Sequence, residues 1–260
     1  MLKIEKTEIY GWEAALRGMR NPKNSWDRSD TVMKSTVLKA EEIASGVTVY
    51  NQEYCAPYPV IGPNDLKLAM QLRNAGPEHA KFLRMIAVTC DITGPLYWWK
   101  EFDTYKVGTV ANSCSTMHKI ADKEFTLDDF SHEHLIDIDA IKSRKYPSVD
   151  VTPYRDGSII YSPLGILSIT IAMLNECRTK YITALKTEDE CGIPAEELWW
   201  QMIQLLPSSY NQKRTVFLNY WVLANIYHQR QHHKQDEWRI TFCDWIKSLP
   251  YSNLITGEEK

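Results

Sequence analysis

No apolar run in this chain of 260 residues approaches the roughly 18–20 that a helix needs to cross a bilayer. The N-terminus, Met1-Leu2-Lys3-Ile4-Glu5-Lys6, has no apolar signal core. We therefore expect a soluble, cytoplasmic protein that spans no membrane. Neither sign of charge is in excess. A formal net charge of −3 creates no field that would gather nucleic acid or an anionic membrane surface. None of the six cysteines (Cys55, Cys90, Cys114, Cys177, Cys191 and Cys243) forms a CxxC pair. Several lie inside apolar segments and read as reduced, structural thiols; Cys114, in a polar loop of small residues, stands apart. There is no internal repeat.

What is present points to a packed core. Hydrophobic residues make up 44% of the chain, with nine Trp and fourteen Tyr, a load that argues against disorder. Residues 1–20 predict a short strand and then a helix from Trp12 to Arg20, stopped by Asn21-Pro22. A second helix is expected over 66–74, with Asn64 or Asp65 as its cap. Residues 85–92 suit a strand feeding a turn at Gly94-Pro95; 98–105 is helix-like, and 106–116 is small and polar. The charged stretch 121–158 reads as a surface excursion. Ser162-Pro163 opens a long helix to about residue 186, and the acids after Pro194 start another that ends by Pro207. A mixed first half and a helical second half predict an α+β fold, with residues 1–260 forming one domain.

The segment 206–230 reads as a turn followed by a buried helix that nevertheless carries Asn219, Asn225 and Arg230. A buried amide or guanidinium without a partner costs a few kcal/mol. On a continuous helix Asn219 and Arg230 would share one face to within roughly 20°, about 16 Å apart along the axis. Neighbouring protein or a ligand could satisfy them. Three further patterns bear on chemistry. His228 and His232 have the spacing of a helical metal pair but no third ligand nearby, so no metal site is expected. Cys114 and His118 could be a thiol and its base, without an orienting partner. The loop 108–116 offers hydroxyls and backbone N–H groups of the kind that hold anions.

Two separated blocks resemble the flavin-dependent thymidylate synthases. The C-terminal block of that family has a Pro, an Asn twelve residues on, a second Asn six later and an Arg five later. Pro207, Asn219, Asn225 and Arg230 reproduce that spacing. The family's Arg-His-Arg signature is altered: Thr104-Tyr105-Lys106 replaces it, followed by Thr109, Asn112 and Ser115, with Ser113 and Met117 in place of a Glu and an Arg. His79 and Pro95 match upstream positions, Glu101 stands where the family has Gln, and Ile203 stands where it has Arg.

The resemblance implies a homotetrameric α+β enzyme that methylates dUMP with a methylene folate, FAD and NADPH. It implies flavin contacts at His79, Lys106, Thr109, Asn112, Asn219 and Asn225. Nucleotide contacts would fall to Glu101, Ser115 and Arg230, with Arg230 as the catalytic group on the uracil. The lost arginines, whose fork geometry a lysine does not reproduce, leave two alternatives. One is a binding or structural homologue without synthase activity; the other is an enzyme of altered nucleotide substrate, re-specified through Glu101, Ser113 and Met117.

Overall fold

The structure is a computed structural model and describes residues 2–38, 54–137, 162–187 and 192–258. Its strands are β1 (Lys3–Tyr10), β2 (Val32–Leu38), β3 (Tyr54–Val60), β4 (Ala87–Pro95), β5 (Val110–Ser113) and β6 (Asn211–Asn219). The helices are α1 (Trp12–Arg20), α2 (Pro63–Asn74), α3 (Leu96–Phe102), α4 (Thr116–Lys119), α5 (Pro163–Ala184), α6 (Ala195–Leu205), α7 (Tyr220–Arg230), α8 (Cys243–Ser248) and α9 (Asn253–Thr256). Four strands form one sheet in the order β1-β4-β6-β5, and β2 pairs with β3 in an antiparallel ribbon, Val32 opposite Val60. The α+β expectation holds. Among the described residues no helix is long and apolar enough to cross a membrane.

The described chain divides into two compact units. The first comprises residues 1–3, 92–104 and 112–214, and the second residues 4–91, 105–111 and 215–260. In the first, α5 and α6 close over Ile120, Phe125, Phe130, Leu167, Leu174 and Met202, all buried. Phe125 and Phe130 come from the segment expected to be a charged excursion; residues 138–158 of that segment lie outside the described residues. Ser162 caps α5, its hydroxyl accepting from Gly165 N at 3.0 Å, with Pro163 in the first turn as the sequence predicts.

In the second unit α1 buries Trp12, Ala15, Leu16 and Met19. That i, i+3, i+4, i+7 spacing gives a helix one apolar face. Trp12 meets Tyr220 and Tyr251 edge-on at 5.2 and 5.5 Å. The cap of α2 departs from expectation. Neither Asn64 nor Asp65 caps it; the Asp30 carboxylate does, accepting from Asn64 N at 2.8 Å and Asp65 N at 3.0 Å. Gly62 permits this approach, since a β-carbon there would lie 2.2 Å from the Asp30 carboxyl carbon. Asp65 instead turns inward and accepts from Arg20 Nε at 2.6 Å, both side chains being buried.

Four other expectations are corrected. Gly94-Pro95 ends β4 instead of forming a turn after it, and α3 stops at Phe102. Residues 110–113 of the polar loop add a short edge strand, β5. The segment 206–230 is not one helix: β6 occupies its first half, because Val216, Phe217 and Leu218 suit a strand.

Candidate functional site

The junction of β6 and α7 sets the geometry in the second unit. Asn219 has extended backbone, φ −141° and ψ 166°, and its Oδ1 accepts from Val222 N at 3.0 Å. It is the N-cap of α7, and this gives its buried amide oxygen a partner within the protein. Being outside the helix, it shares no helical face with Arg230, which overturns the spacing inferred from a continuous helix. Asn225 is exposed on α7 and was wrongly expected to be buried. The inward residues are Tyr220, Val222, Leu223, Ile226 and Tyr227.

Arg230, the last residue of α7, is half-buried. A helix C-terminus favours a cation. Its Nε donates to the Tyr105 hydroxyl at 2.7 Å, and that hydroxyl donates to Gln229 Oε1 at 3.0 Å. The guanidinium carbon lies 4.7 Å from the centre of the Trp238 ring and 5.5 Å from that of Tyr105. Trp238, fully buried, belongs to a π-helical turn over Glu237–Phe242. The loop after Tyr105 continues along α7: Thr109 Oγ1 donates to the Tyr105 carbonyl, and Gly108, at φ +80°, lies against Asn219 and Val222. Lys106 is exposed.

His79 is exposed at the start of the 3-10 turn Ala80–Met85, which packs on α7. It lines a cleft of about 780 Å³ together with Arg17, Leu72, Lys81, Phe82 and Met85. Cationic side chains and an apolar wall thus share one recess of this unit.

In the first unit Glu101 is half-buried on α3, and its carbonyl accepts from Thr104 N and Oγ1 at 3.1 and 2.7 Å. Asn112 is exposed on β5. Ser115 caps α4, its Oγ accepting from His118 N at 3.2 Å, and lines a cleft of about 360 Å³ with Lys119, Lys123 and Lys213. The loop around it is tied down: Cys114 N donates to the Lys213 carbonyl at 2.9 Å, and Gln212 Nε2 donates to the Cys114 carbonyl at 3.0 Å. Arg214 pairs with Asp103 at 2.7 Å and lies 4.3 Å over the Trp99 ring. Ile203, at the position of a family Arg, packs against the apolar core. Among the described residues no group of three or more His, Cys, Asp or Glu could hold a metal ion.

Sequence reasoning thus singled out Arg230 but missed Tyr105, Gln229 and Trp238 as its partners. Tyr105 registered only as a departure from a motif. No local pattern announces a contact spanning 125 residues of chain.

The architecture is that of the flavin-dependent thymidylate synthases. The chain is similar to thymidylate synthase X (ThyX) from Helicobacter pylori, solved with FAD and dUMP, at 13% identity and a TM-score of 0.57, over 99% of this chain and 98% of that one. A second ThyX structure from the same organism, also with FAD and dUMP, gives the same identity and score over 99% and 100% of the two chains. The UMP/dUMP methylase PolB from Streptomyces cacaoi, bound with 5-Br dUMP, matches at 13% identity and a TM-score of 0.54, over 99% and 95%. At such identities the likeness shows a shared fold. No protein-family model and no curated protein sequence matches the chain.

Proposed function

We propose that this protein binds a flavin and a pyrimidine nucleotide and works as a thymidylate synthase-like enzyme on dUMP. The observation that carries this reading is Arg230. Its guanidinium is steadied by a phenol and an indole, at the position that the resemblance assigns to the uracil contact. An arginine so held can stabilise charge developing on a pyrimidine carbonyl and N3. The ThyX structures of the same fold contain FAD and dUMP, and PolB carries a dUMP analogue, which agrees with this ligand class.

The cleft beside His79 fits the flavin. Its volume falls within the roughly 300–1,000 Å³ usual for ligand sites, and it joins Arg17 and Lys81, the latter ion-paired with Glu78 of the same lining, to Leu72, Phe82 and Met85. Cations suit a pyrophosphate, and apolar side chains suit a ring. FAD, when bound, supplies hydride transfer; NADPH and a methylene folate are the co-substrates of the reductive methylation. His79, Lys106, Thr109, Asn112, Asn219 and Asn225 keep the flavin-side role implied by the resemblance, Asn219 through the part of its amide not used in capping. Glu101 and Ser115 keep the nucleotide-side role. The exposed Ile166, Ile169 and Met173 form an apolar stripe on α5 that suits a homo-oligomer, which we take to be a homotetramer.

A second reading, ligand binding without synthase chemistry, is favoured by Ile203 and Met117. Each stands where the resemblance has an arginine, and Ile203 has become part of an apolar core. Absorbance of the purified protein after addition of FAD tests both readings: flavin bands retained through gel filtration are expected, and a colourless protein would overturn both. Rescue of a thymidine auxotroph separates them, since only the synthase reading predicts growth. Arg230→Ala should abolish dUMP binding and leave flavin uptake intact.

A further inference from the structure

We propose that Tyr105 is a positioning residue, whose hydroxyl fixes the Arg230 guanidinium for contact with a pyrimidine ring. The inference rests on the nucleotide-binding reading above. Tyr105 lies in the altered motif, where a tyrosine has no counterpart in the pattern that the chain otherwise resembles.

A phenol has one hydrogen to donate and lone pairs to accept with. Gln229 Oε1 takes the hydrogen at 3.0 Å, so the Tyr105 oxygen presents lone pairs to Arg230 Nε at 2.7 Å. The polarity of the contact is thereby set: neutral acceptor toward cationic donor. The second restraint is the Trp238 ring, 4.7 Å from the guanidinium carbon. That indole is itself immobilised, fully buried and edge-on to Phe242 at 5.3 Å. The Tyr105 and Trp238 rings stand 6.1 Å apart at 63° to one another, two inclined walls around one planar cation.

These restraints act on orientation more than on charge. A guanidinium recognises planar acceptors through a fork of N–H groups whose direction matters, whereas an ammonium acts as a point charge. Holding the Nε edge and one face fixes where the remaining donors point. The loop that carries Tyr105 is held in turn by Thr109, which donates to the Tyr105 carbonyl, and by the close seat of Gly108 on Asn219 and Val222. The loop 105–109 therefore runs along α7, from its first turn at Asn219 and Val222 to the end that presents Arg230.

The test is calorimetric titration with dUMP of the flavin-loaded wild type, Tyr105→Phe, Arg230→Lys and the double variant, with thermal unfolding of each. Tyr105→Phe keeps the ring and removes the hydroxyl. We expect dUMP affinity to fall about tenfold, as the guanidinium loses its fixed direction, with flavin content unchanged and only a small drop in melting temperature from the lost hydrogen bond. In the Arg230→Lys background the same change should cost less than twofold, because there is no Nε left to orient. Equal or tighter dUMP binding by Tyr105→Phe overturns the proposal, as does a full tenfold loss in the Arg230→Lys background. Wild type that binds flavin but no dUMP overturns the nucleotide reading itself. Should Tyr105→Phe not fold, Gln229→Leu releases the same hydroxyl from an exposed position: a loss of dUMP affinity of at least threefold sustains the proposal, and no loss overturns it.

Discussion

A β-carbon on Gly108 would lie 3.2 Å from Asn219 Nδ2 and 2.9 Å from Val222 Cγ2. The loop bearing the altered motif is thus pressed against the first turn of α7, with its glycine at φ +80°. Alanine at this position meets a strained backbone and a packed neighbour together. Gly108→Ala should destabilise the protein by about 2 kcal/mol, seen as a lower urea midpoint. An unchanged midpoint would mean that the loop does not pack against α7.

The Asn219 cap makes a separable prediction. Asn219→Ala removes the acceptor for Val222 N and should cost about 1–2 kcal/mol in protein free of flavin, while Asn219→Ser restores most of it. If Asn219 served only a flavin, stability without flavin would not change. Equal unfolding midpoints for wild type and Asn219→Ala in apoprotein would therefore remove the capping role.

Asp65 gives stability a pH dependence of defined sign. Burial alone raises its pKa, but hydrogen bonds from Thr31, Ser29 and Arg20, with the Arg20 charge, outweigh burial and hold it below the usual carboxylate value. The unfolded chain then takes up this proton before the folded one does. The contribution is complete above the ordinary Asp value, about 4, and is lost as pH falls through the lowered folded value. Asp65→Asn should cost about 3 kcal/mol at pH 7, because it leaves the Arg20 cation buried and unneutralised. It should also flatten the loss of stability below pH 4. Urea unfolding of both proteins from pH 3 to 7 checks the cost and the flattening.

What the sequence disclosed depended on the range of the interaction. Trp12, Ala15, Leu16 and Met19 announced α1 because the helical period is local, and Ser162-Pro163 announced the start of α5 for the same reason. The Asp30 cap on α2 acts across 34 residues, so Asn64 and Asp65, being nearby and of the right type, were the natural but mistaken choice. The break between β6 and α7 was hidden because apolar residues run through it without Gly or Pro. Only the Asn219 side chain marks it. The candidate site was legible as Arg230, through spacing, but the clasp around that arginine depends on residues brought together by folding.

The cysteines offer a chemical test of burial. Among those whose side chains are described, Cys114 is exposed, while Cys90, Cys177 and Cys243 are buried. Burial, helped by the Asp91 charge, pushes the Cys90 thiol up to about 12. Burial likewise pushes Cys243 up to about 11; the Lys247 charge opposes this and Asp244 adds to it. The thiolate is the nucleophile, so at pH 8 a thiol titrating near 12 offers a reactive fraction on the order of one in ten thousand, and access to it is also blocked. Iodoacetamide on the folded protein should therefore alkylate Cys114 at least tenfold faster than Cys90, Cys177 or Cys243, and unfolding in urea should remove the difference. Peptide mapping by mass spectrometry reads each site separately. Labelling of Cys90 at the rate of Cys114 in the folded protein would require β4 to open to solvent, against the complete burial of its neighbours Val88 and Ile92.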